Sequence, residues 1–91
     1  MGTKQNPSRF DCYAAARPDE EMFVLLDRDP LAPYMVSIWS SVRAGDLKAA
    51  RVEFEDMLKV GVRYVLHPDI EKASEALDIH LAMRRDQEER R

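Results

Sequence analysis

Apolar residues recur at intervals of three and four along most of this chain, and the places where the rhythm breaks divide it into helices. The pattern is clearest from Asp46, which caps a helix whose Leu47, Ala50, Phe54, Met57 and Leu58 share one stripe. Lys48, Arg51, Glu53, Glu55 and Asp56 take the other faces, as in an amphipathic helix with one side turned inward. Upstream, Asp29-Pro30 opens a helix that runs through Met35, Val36, Ile38, Trp39 and Val42 and stops at Gly45. The two form an antiparallel pair joined by a tight turn. Trp39 is the largest side chain of this pair and reads first as core, with an interface anchor as its second use. Gly61 marks the end of the second helix or a bend within it.

His67-Pro68-Asp69 opens a last helix from about Pro68 to Arg85 or beyond. Ile70, Ala73, Leu77 and Leu81 make one stripe, and Ala76, Ile79, Ala82 and Met83 make a second. So wide an apolar arc predicts burial against two partners. One of them is expected to be a second subunit, with Ala76, Ile79 and Met83 as the self-association residues. At the other end of the chain, Asn6-Pro7 reads as a cap and a first helical position, and a short helix continues to Ala16 with Phe10, Tyr13 and Ala14 on one face. Pro18 stops it.

Met22 to Leu26 is five apolar residues without a period, which suits a short buried helix or a buried strand. Pro18, Asp19, Glu20 and Glu21 favour a helix start, so helix is the expectation. The alternative is a short strand paired with Val62 to Leu66 or with its own copy. The whole pattern predicts an all-α fold, a small bundle of four to five short helices forming a single domain over 1–91, with 1–5 and 87–91 mobile at its ends.

Size sharpens the need for a second subunit. A chain of 91 residues buries only about 60% of its unfolded surface when it folds alone. With 45% hydrophobic and 34% charged residues the composition is globular. The net charge of −3 removes the positive field that general nucleic-acid binding requires. The Arg84-Arg85 and Arg90-Arg91 clusters alternate with acids, as at a solvated helix end. Cys12 is the only cysteine, which excludes an internal disulfide and a multi-cysteine zinc site and points to the cytoplasm. No apolar run approaches the ~20 residues of a membrane span, so membrane insertion is not expected.

Groups that do chemistry are sparse. Cys12 with His67 or His80 carries no local signature of a nucleophile and base, and two histidines thirteen apart are not a metal motif. Catalytic residues, a metal and a cofactor are therefore not expected. Arginine outnumbers lysine ten to four, and its planar fork suits bidentate contacts with anions. Arg9, Arg17 and Arg28 lie near Tyr13 and Tyr34, a mixture able to line a pocket for a small anionic ligand such as a signalling nucleotide. The plainer role for Arg28 is to neutralise Asp27 and Asp29. Glu53, Glu55 and Asp56 form the candidate acidic surface for a protein partner.

The stretch from Asn6 to Trp39, with Glu-Glu-Met-Phe-Val-Leu-Leu followed by Asp-Arg-Asp-Pro and then a Trp, resembles small bacteriophage and prophage proteins that carry an Asp-Glu-Pro-Met-Phe-Val-Leu-Leu run before Arg-Asp-Pro. The similarity covers about half the chain, and Glu21 stands where that pattern has Pro. The resemblance implies no known activity. It implies a small accessory protein that occupies a host protein's surface or sequesters a host ligand. Taken with the residues, the expectation is a non-enzymatic protein of the host cytoplasm, homo-oligomeric and first of all dimeric, that binds and modulates a host protein such as a component of antiviral defence. The ligand sponge through Arg and aromatic side chains is the alternative.

Overall fold

A computed structural model of the chain describes residues 3–6 and 12–90, the side chains of Cys12 and Tyr13 excepted. Five helices follow one another: α1 (Cys12–Ala15), α2 (Ala32–Arg43), α3 (Leu47–Gly61), α4 (Arg63–Leu66) and α5 (Ile70–Glu89). Among the described residues there is no strand, and the all-α expectation holds.

Local chemistry sets the boundaries. Gly45 takes φ +80°, a backbone conformation in which a Cβ would crowd the following carbonyl. That geometry lets the Asp46 N–H donate to the Ser41 carbonyl at 2.9 Å and the Gly45 N–H to the Val42 carbonyl at 3.0 Å, a Schellman closure of α2. Asp46 then opens α3 at once, its Oδ1 accepting the Ala49 N–H at 3.0 Å. Asp69 does the same for α5, accepting the Lys72 N–H at 3.2 Å. Asp46 was legible as a helix start from its position alone, whereas α5 begins two residues later than the expected Pro68.

Two expectations change. α2 does not begin at Asp29-Pro30. Asp29 Oδ1 accepts the Leu31 N–H at 2.9 Å, its carbonyl accepts the Ala32 N–H at 3.0 Å, and the helix starts two residues later with Pro33 inside its first turn. A side-chain turn of this kind satisfies the donors that a cap would otherwise serve. Met22 to Leu26 is neither helix nor strand. Five residues are too few to repay helix nucleation by themselves, and the segment once offered as a partner strand, Val62 to Leu66, is turn and α4. Gly61 acts as a bend: α3 ends there, and α4 resumes after Val62 alone, which stays in helical geometry at φ −54° and ψ −33°.

α2 and α3, joined by residues 44–46, pack antiparallel, and α4 touches the end of α3. α5 approaches none of the other described helices. On α2 the residues that lose exposure are Tyr34, Ser37, Ile38 and Ser41, and on α3 they are Ala49, Ala50, Glu53, Met57 and Val60. The seam combines small side chains, Ser37, Ser41, Ala49 and Ala50, with the larger Tyr34, Ile38, Met57 and Val60. Ala32 and Ala50, 5% and 7% exposed, are the buried apolar residues among those described. Trp39 is not core: it is 60% exposed. The hairpin turns its Ser37–Ser41 side inward, and the ring lies on the far side of α2.

The chain is accordingly open. Its accessible surface is 8370 Å², where a folded monomer of this mass exposes about 5,400 Å². The radius of gyration, 14.9 Å, exceeds the ~12 Å of a compact domain of this length.

Candidate functional site

The outer face of α2 is its most apolar face. At 100° per residue, Met35, Val36, Trp39 and Val42 fall within an arc of about 120°, and all four are exposed. This arc lies nearly opposite the serines that meet α3. Ridges of one helix fill grooves of a neighbour along a single arc, so a two-helix hairpin covers one side of α2 and leaves the other to whatever comes next. α4 and α5 follow in the chain without packing on α2, and of this arc only Ala32, in the first turn, is buried. The Arg43 guanidinium lies over the Trp39 ring, 5.3 Å from its centroid, one helical turn on. The ring is therefore held at the surface with a charge beside it, in the company of Met35 and Val42.

Other apolar stripes are exposed as well. Phe54 and Leu58 form a shoulder of α3 with Leu47, beside the seam. Val62, Val65 and Leu66 leave α4 with almost no cover, Leu66 reaching 83%. In α5, Ile70, Leu77 and Leu81 are exposed, whereas Ala76, Ile79, Ala82 and Met83 on the opposite side are half-buried. The stripe expected to self-associate is thus partly covered by the chain itself, and the free one is its opposite.

The anionic-ligand residues are only partly within view. Arg9 and the side chain of Tyr13 lie outside the described residues. Arg17 pairs with Glu20 at 3.6 Å across the turn that Pro18 makes, and the Arg17 N–H donates to the Glu20 carboxylate at 3.2 Å. Arg28 is exposed in the turn before α2, and Tyr34 is half-buried on the side of α2 that faces α3. Two open depressions of the surface are lined by neither Arg17, Arg28 nor Tyr34. One lies between α2 and α3 at Ser37, Ser41, Asp46 and Glu53, and the other lies along Ala15, Ala16 and Glu20 to Val24.

The acidic trio does not share a face. Glu55 is exposed, while Glu53 and Asp56 are half-buried toward the seam, Asp56 lying 3.5 Å from Lys59. Glu53 and Asp56 share a side of α3 while Glu55 points away, so the three present no common surface to a partner. His67 and His80 are both exposed, and among the described residues no three His, Cys, Asp or Glu side chains converge to hold a metal. No helix of the described residues is long and apolar enough to cross a membrane.

The sequence reading offered Trp39 as an interface anchor only after core, and it missed Met35, Val36, Val42 and Arg43 as a surface. A signal was present: the apolar residues of α2 run more than halfway around it, interrupted chiefly by Ser37, Ser40 and Ser41. An amphipathic helix covered on one side has no need of that. No protein-family model, curated protein or solved structure matches the chain.

Proposed function

We propose that this chain is a non-enzymatic binding protein whose target is another protein, held against the outer face of α2. The observation that supports the reading is that face itself: Trp39, Met35 and Val42 exposed together with Arg43 on the ring. Trp, Met and Arg are the residue types that concentrate at protein interfaces, and Trp and Arg lead among the positions that dominate binding energy. The complementary surface is apolar at its centre, with a carboxylate at its rim to meet Arg43. The phage-like motif makes a host protein the first target, and modulation of that protein by occupying its surface is the mode of action that needs least from a chain of this size.

Native mass spectrometry on protein purified gently from its bacterial host tests the proposal. The expected result is one host protein at fixed stoichiometry, with the purified pair losing about 30-fold or more in affinity on Trp39→Ala, the effect of removing an interface anchor worth ~2 kcal/mol. A small retained mass in place of a protein transfers the function to an anionic ligand. An unchanged affinity in Trp39→Ala, with helicity intact by circular dichroism, removes α2 from the interface.

A further inference from the structure

We propose that α5 pairs with α5 of a second copy of this chain, antiparallel and about a two-fold axis, with Leu77 of each copy packed on Leu81 of the other. Three observations lead there. α5 spans twenty residues, touches no other described helix, and exposes Ile70, Leu77 and Leu81 on one line. Their spacing, seven residues and then four, is the spacing of a helix–helix seam. A long helix with such a seam uncovered is half of a packing unit.

The second observation is area. The chain exposes roughly 2,900 Å² more than a folded monomer of its mass, and a standard stable interface takes about 800 Å² from each partner. The deficit accommodates a dimer through α5 and still leaves the α2 face for a different protein. The two proposals therefore stand on separate surfaces and fail separately.

The third observation is charge, and it selects the occupant and the direction. Along the seam beyond Leu81 come Arg84 and Glu88, and beside it lie Glu71, Asp78 and Arg85. A parallel pair would set Arg84 on Arg84 and Glu88 on Glu88 in its core. The antiparallel pair centred between Leu77 and Leu81 sets Arg84 on Ser74 and brings Glu71 of one copy to Arg85 of the other, twice. Glu71 and Arg85, which flank the seam, thus each find their complement in a second copy. The same register sets Glu88 of one copy on Ile70 of the other and brings Asp78 near its own copy, the unfavourable meetings along the seam.

Sedimentation equilibrium on the purified chain from about 1 to 100 µM, a range that covers interfaces of standard size down to the weak end of their affinities, reads the proposal out. The wild type is expected to be dimeric, and Leu77→Asp with Leu81→Asp to be monomeric. Charge reversal then fixes the register: Glu71→Arg alone weakens the dimer, Arg85→Glu alone weakens it, and the two together restore it. Asp78→Asn tightens it several-fold. A monomer at every concentration overturns the proposal, as does a dimer that both leucine substitutions leave intact. If the leucine variants lose their helicity, the charge-reversal pair decides: no rescue in the double variant means that α5 does not pair in this way.

Discussion

At the scale of single residues, the most demanding position is Gly45. Its φ of +80° closes α2 and aims α3 back along it, and an added Cβ would meet nothing within 4 Å. The cost of Gly45→Ala therefore comes from the backbone alone, and we expect a loss of about 1 kcal/mol, read as a lower urea midpoint at unchanged slope. Asp46 is next to it in importance. Asp46→Ala removes the acceptor of the Ala49 N–H and should cost another ~1 kcal/mol, while Asp46→Asn keeps most of it. The exposed ion pairs carry no comparable weight: Lys59–Asp56 and Lys72–Asp69, at 3.5 and 3.8 Å, are open to water on both sides. Both Gly45 and Asp46 were readable in the sequence because glycine and aspartate act here through their own covalent structure, within one turn of the residues they affect.

At the scale of the element, α2 has two sides with opposite demands. Its inner side meets Ala50 of α3, which is 7% exposed, and leaves no room for a larger residue. Ala50→Leu should overpack the seam and destabilise the hairpin by about 1–3 kcal/mol. Val36→Lys on the outer side, in contrast, should change the stability of the isolated chain by no more than ~0.5 kcal/mol. Denaturation of the two variants at one protein concentration compares them directly, and equal losses would mean that the outer face is covered by the chain's own residues. The periodic pattern identified α2 as a helix but could not say which side turns inward, because apolar residues occupy both. Ser37 and Ser41 lie on the packed side since small side chains let two helices approach. Met22 to Leu26 shows the reverse case: high apolar content without a period, and no element formed.

At the scale of the molecule, the described helices share too little interior for the surface they expose. Among the described residues seventeen large apolar side chains remain open to solvent, eleven of them on α2, α3 and α5, where most fall in stripes. Scattered apolar residues on a surface are ordinary, whereas contiguous ones mark contact with something else. If a second copy supplies part of that contact, stability depends on protein concentration. The midpoint of thermal unfolding should then rise by about 5–10 °C over a hundredfold increase in concentration, and the Leu77→Asp, Leu81→Asp variant should show no such rise. A concentration-independent midpoint in the wild type would place the cohesion of the chain within one copy.

The sequence by itself determined that this protein is helical, where α3 begins, where α2 stops, and which positions of each helix are apolar. All of these follow from interactions within a turn or two of backbone, where propensity, capping and side-chain periodicity act. The tertiary structure alone decided which apolar stripe each helix spends on its own chain and which it leaves open. That choice is collective: it depends on how many helices lie within reach, and here a three-residue turn commits α2 to α3 along the serine side while α5 stands clear of both. Trp39, read as core from its neighbours, became the centre of an exposed face for that reason. Its place was set by geometry between elements, which no local pattern encodes.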